Sequence, residues 1–161
     1  MRTSLKLTGF SLVEVTLALG VAAVSLLAVF GLLATGIQVN HTAVEQTAAN
    51  DILTAVAADL RATPKTSPPG GASASPQFAI PIPANPVTAP AVTTLYFDAQ
   101  GQFSTSVGPM SRYRLIATFL PNGTGARTAS FVDLRMTWPA AADPANVNTG
   151  AAETFVALDR N

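Results

Sequence analysis

The 161-residue chain predicts an α+β fold. A long N-terminal helix, transmembrane at its start and amphipathic beyond, packs on a small antiparallel β-sheet. Three observations carry this expectation. Residues 15–37 hold no charged side chain, Ile37 to Leu60 repeats apolar residues at helical spacing, and from Val92 on apolar residues alternate between turn signals. Charged residues make up 11% of the chain and apolar ones 48%, with the apolar excess concentrated in the first forty positions. Nine Lys and Arg balance nine Asp and Glu, so no basic field marks a nucleic-acid partner. The absence of cysteine excludes disulfides and thiolate metal sites.

The first element is the apolar run. As a helix, residues 15–37 would extend about 34 Å, against about 30 Å of bilayer hydrocarbon. Arg2 and Lys6 precede the run, and no charge follows Glu14 until Glu45. By the positive-inside rule the N-terminus is cytoplasmic, and everything beyond about residue 40 lies outside a single-pass inner-membrane span. A secretory signal is the competing reading, but its apolar region is only about 7–15 residues and ends in a small-residue cleavage site. This run continues into a helical pattern instead. Gly20, Gly31 and Gly36 interrupt it without forming a GxxxG pair, so they read as tolerated glycines. Glu14 is the exception in the run. An ionisable group there is by default a functional residue, the alternative being a side chain that snorkels to the headgroups.

Gly9-Phe10-Ser11-Leu12-Val13-Glu14, followed by the apolar stretch, resembles the leader and processing motif of type IV prepilins and pseudopilins. The resemblance implies that residues 1–9 are a leader removed by a prepilin peptidase on the cytoplasmic side. The scissile bond is then Gly9–Phe10, and Phe10 becomes an N-methylated first residue. Glu14 falls at the fifth mature position, where the family places its glutamate; Ser11 stands where many members carry Thr. Gly9, without a Cβ, lets a protease approach the backbone. Cleavage would remove Arg2 and Lys6 and expose an amine at Phe10. A carboxylate in lipid costs about 2.5–3.5 kcal/mol at a helix centre, and a neighbouring subunit's terminal amine would offset that cost and set assembly register. Residues 10–38 then form the transmembrane and assembly helix.

Residues 39–62 continue as an amphipathic helix. Ile37, Val44, Ala48, Ile52, Val56 and Leu60 make its packing face, while Glu45, Asn50, Asp51, Asp59 and Arg61 occupy other positions. Thr63-Pro64 ends it. The whole helix from residue 10 would be about 80 Å long, as in the pilin family. Residues 63–91 read as a Pro/Gly-rich loop, with KTSPPGGASASP a linker and QFAIPIPANPVTAP an edge strand or extended loop. Residues 92–161 form the sheet. TTLYFDAQGQFST gives strand, turn at Asp98–Gly101, strand. In SRYRLIATFLP the residues Tyr113, Leu115, Ala117 and Phe119 face inward, and Pro121–Gly125 makes a turn. In SFVDLRMTWP, Val132, Leu134, Met136 and Trp138 face one way and Asp133, Arg135 and Thr137 the other. After the loop AADPANVNTG, ETFVALDRN is the last strand. The expected connectivity is a helix followed by a meander, with the helix covering the apolar face. Trp138-Pro139-Ala140 after one strand, with a short terminal strand, is similar to the Verru_Chthon cassette B prepilin-type proteins.

Enzyme chemistry finds little support. The lone His41 beside Glu45 supplies too few ligands for a metal and no triad. Asp143, Asn146 and Asn148 share a loop with loose calcium-like spacing, better read as a turn. Arg112, Arg114 and Arg135 sharing one sheet face would suggest DNA, but Asp133 among them favours a solvated, salt-bridged face. The expectation is a non-enzymatic minor pilin or pseudopilin subunit of a type IV pilus or type II secretion pseudopilus. Its partners are the prepilin peptidase, other subunits and membrane lipid, with no nucleic acid, cofactor or metal. The alternative is a single-span anchored extracytoplasmic domain that binds or hydrolyses something.

Overall fold

A computed structural model describes residues 9–63, 73–84, 86–122, 129–143, 145 and 150–159. The chain is α+β, with helix α1 (Leu12–Ala62) followed by one five-stranded antiparallel sheet. It divides into two compact units between Ala43 and Val44. Among the described residues, α1 is the one regular element of the first unit. The helix ends where Thr63-Pro64 stops it: Thr63 N–H reaches the Leu60 carbonyl at 3.4 Å, and its hydroxyl donates to the Asp59 carbonyl at 3.1 Å.

In the second unit the strands are β1 (Ala91–Phe97), β2 (Phe103–Ser104), β3 (Tyr113–Phe119), β4 (Ser130–Trp138) and β5 (Gly150–Leu158). Their order is β2-β1-β3-β4-β5, which corrects the expected meander. β2 is two residues long and, among the described residues, pairs with Tyr96 and Phe97 alone. The chain then returns to the other side of β1, where Arg112 N–H donates to the Phe97 carbonyl at 2.7 Å. β1 buries Leu95 and Phe97, whereas both residues of β2 stay exposed, as suits an edge. The Asp98–Gly101 turn forms as expected. Gly101 has φ of 78°, and the Asp98 carboxylate accepts from Gln100 and Gln102 N–H at 2.9 and 2.8 Å. Gly150 belongs to β5 rather than to the preceding loop.

The core lies between the sheet and the C-terminal part of α1. Tyr113, Leu115, Ala117 and Phe119, with Val132, Leu134, Met136 and Trp138, face it as their alternation requires. The helix face differs from the expected row. Ala49, Leu53, Val56, Ala57 and Leu60 are buried, Ala48 and Ile52 only partly, and Ile37 and Val44 are exposed. A strict four-residue row drifts around a helix of 3.6 residues per turn, so a straight apolar stripe must mix spacings of three and four. Ala49 and Ala57 supply the small side chains of that stripe. Thr137 also departs from expectation: it shares the outer side of β4 with Asp133 and Arg135, yet is only 2% exposed.

The proline-rich segment is an extended loop carrying one isolated bridge, Ala74 to Pro81, and it adds Phe78, Ile80, Ile82 and Val87 to the core. Its apolar side chains reach inward because hydrogen bonds hold its backbone without a strand partner. Ser75 pairs with Ile80 through both backbone and hydroxyl, and Ile82 N–H donates to the Ser73 carbonyl at 2.7 Å. Asn122 fixes the far end, accepting from Val87 N–H at 2.7 Å. Asp59, expected on the polar side of the helix, is 6% exposed. Its two carboxylate oxygens accept from the N–H groups of Gln77 (2.9 Å) and Phe78 (3.0 Å), which ties the loop to α1. Phe78 then meets Phe97 and Phe103 edge to face, each with centroids 5.6 Å apart.

Two predictions follow from this packing. Asp59→Ala leaves the buried N–H of Phe78 and the part-buried N–H of Gln77 without acceptors and should lower stability by about 2–3 kcal/mol in urea unfolding, with Asp59→Asn falling between. Gly150 lies opposite Trp138, and a Cβ there would stand 2.1 Å from the indole. Gly150→Ala should therefore displace the sole tryptophan, red-shift its emission and cost about 1–3 kcal/mol; unchanged emission would contradict this packing.

Candidate assembly surface

The first unit carries the sequence-predicted site residues. Gly9 and Phe10 are exposed and precede α1, Phe10 at 82%. The Ser11 carbonyl accepts the first helical bond, from Val15 N–H at 3.1 Å, and Glu14 occupies the first turn. That position faces the positive end of the helix dipole, which favours a carboxylate. Ser11-Leu12-Val13-Glu14 also has the spacing of a capping box, a signal present in the sequence that the charge argument passed over.

Phe10, Glu14, Ala18 and Ala22 form a row at four-residue spacing and, with Val15 and Leu19, border one groove of about 480 Å³. The two alanines leave a shallow channel beside the carboxylate, into which another helix can settle. A second hollow of about 470 Å³ lies at Gly36, between Val29, Leu32, Leu33, Ile37 and Asn40. Large apolar side chains are exposed on every side of this segment, from Leu12 and Leu17 through Leu27, Phe30 and Leu33. The helix is long and apolar enough to cross a membrane, with mean hydropathy 2.5 over its most apolar 18 residues and none of those buried. Its few hydroxyls turn back on the helix. Thr16 donates to the Val13 carbonyl at 2.9 Å, Ser25 to Val21 at 2.8 Å and Thr35 to Gly31 at 3.3 Å. A lipid or apolar neighbour therefore meets no unsatisfied donor from these three residues. Arg2 and Lys6 lie outside the described residues.

The second unit separates groups that the sequence reading had joined. Arg112 precedes β3 and pairs with Glu45 of α1, and its hydrogen bond to that carboxylate raises its pKa. Glu45 is thus engaged by Arg112 rather than serving as a simple helical neighbour of His41. This pair borders a cleft of about 510 Å³ with Met110, Trp138 and Pro139. Arg114 and Arg135 do share the outer sheet face, Arg114 lying 5.8 Å from the centre of the Tyr96 ring and Arg135 opposite Glu153. Asp133 stands two residues before Arg135 on β4, opposite Thr118 and Phe155, so the face is mixed in charge. Among the described residues no group of three His, Asp or Glu side chains converges. Asp143 accepts from Ala145 N–H at 2.9 Å in a local turn, and Asn146 and Asn148 lie outside the described residues.

Burial, and then the neighbouring Glu153, push the Asp133 carboxyl above its ordinary range. A raised folded-state value means the native protein binds this proton more readily than the unfolded chain, so ionised Asp133 opposes folding at neutral pH. Asp133→Asn should stabilise the protein at pH 7, and the gain should shrink as pH falls toward about 4, where the unfolded carboxyl also protonates. Urea midpoints across that range check the sign. Compared with family models, curated proteins and solved structures, the chain matches none of them.

Proposed function

We propose that the chain is a non-enzymatic filament subunit, a minor pilin or pseudopilin of a type IV pilus or type II secretion pseudopilus. The observation that carries this reading is the N-terminal arrangement: an exposed Gly9–Phe10 bond, Glu14 one turn into the helix, and a stem exposed throughout beyond it. In this reading the chain waits in the inner membrane with its N-terminus cytoplasmic and its sheet unit outside. Prepilin peptidase cuts at Gly9–Phe10 and Phe10 is N-methylated. The stem then exchanges lipid for other stems, and Glu14 pairs with the amine of a neighbouring Phe10. The channel at Ala18 and Ala22 supports this, because it gives the neighbouring helix room beside the carboxylate. Exchange of lipid for like surface carries little hydrophobic gain, so a desolvated charge pair can decide register.

The cleft at Glu45, Arg112 and Trp138 favours a second reading, an anchored extracytoplasmic domain that binds or hydrolyses a small ligand. That reading gives Glu14 no task. The distinguishing experiment is Glu14→Ala expressed beside the wild-type assembly components. Trimming should proceed unchanged while incorporation into sheared filaments falls at least about tenfold, the effect of losing ~1.4 kcal/mol of pairing. Normal incorporation of the variant would overturn the proposed role.

A further inference from the structure

The two lateral edges of the sheet are treated differently. At one, β2 covers the end of β1 and Pro90 precedes that strand. At the other, β5 runs nine residues, GAAETFVAL, with no proline or lysine and one charge, Glu153. Among the described residues its backbone pairs only with β4. Natural sheets blunt edges of this length with prolines, lysines, bulges or a covering segment. Among the described residues nothing pairs with the outer edge of β5, which presents a row of N–H and C=O groups at strand spacing.

Beside this edge lies a groove of about 420 Å³ between β5 and α1. Leu53, Ala57 and Val156 form its apolar floor, and Asn50, Thr54, Thr154 and the Glu153 carboxylate give it polar walls. Arg61, exposed at the rim, makes no ion pair among the described residues. The groove lies where the inward side chains of one more strand would project.

We propose that β5 and this groove accept an extended peptide strand from a partner protein, added antiparallel to the sheet. The strand's backbone completes the outer row of β5, as in other strand additions. Every second side chain enters the groove, so these positions are small or β-branched and apolar. An acidic residue of the strand lies against Arg61. The inference stands apart from the filament reading, since it concerns only the sheet unit.

Hydrogen exchange on the full chain in detergent micelles tests it, with a monomeric nine-residue peptide of alternating valine and threonine carrying one aspartate. The peptide should slow β5 amide exchange about tenfold while leaving β4 amides unchanged. Arg61→Glu should weaken the peptide about tenfold, and a lysine in place of its aspartate should recover the loss. Ala58→Trp, at an exposed position of the groove, should abolish the effect with β4 protection intact. The proposal fails if β5 exchange is unaltered by peptide, or if the Arg61 and Ala58 variants respond like the wild type. It also fails if β5 protection rises with protein concentration alone, which would make a second copy of the chain the occupant.

Discussion

A helix that is apolar around its whole circumference cannot remain in water, and that constraint governs the molecule. From Val15 to Val44 α1 carries no charged side chain, and none of its most apolar stretch is buried. Burying a leucine- or valine-sized side chain is worth roughly 1.5–3 kcal/mol, so exposing a dozen of them is untenable. Lipid or other apolar helices must cover the stem. Its hydroxyls already bond internally, so such a cover need supply no hydrogen bonds to Thr16, Ser25 or Thr35.

The sheet unit answers the opposite problem, completing a soluble core from a short, polar, proline-rich sequence. Helix and sheet alone leave room that Phe78, Ile80 and Ile82 fill from an extended loop. A loop with apolar side chains inside needs its backbone satisfied, and Asp59 does this from the helix with two charge-assisted bonds. The same logic explains Gly150, whose missing side chain makes room for Trp138. Polar and small residues here are as much a part of the core as the aromatics they position.

Periodicity made much of the fold legible. The alternation in SRYRLIATFLP and SFVDLRMTWP placed Tyr113 to Phe119 and Val132 to Trp138 correctly, because one buried face forces a period of two. Thr63-Pro64 marked the helix end for a steric reason. What failed was long-range. Asp59 looks like any helical surface acid until Gln77 and Phe78 arrive from the loop, and Glu45 gives no sign of Arg112, which lies 67 residues away. The strand order turned on which edge of β1 the chain revisits after a two-residue β2, a choice local propensity does not encode. At the candidate site, Gly9, Phe10 and Glu14 were read as a motif, Ser11 only as a departure from the usual Thr and not as a cap, and the channel beside Glu14 required the helix to be built.

These strands meet at the N-terminus. In the proposed reading the stem exchanges lipid for neighbours and gains specificity from Glu14, whose partner would be the amine that removal of residues 1–9 creates. The intact mass of the native polypeptide, extracted from membranes and sequenced from its first residue, is the most direct measurement. The account predicts a chain beginning at Phe10 with one added methyl group. A chain beginning at Met1, or at a residue beyond 20, would contradict it.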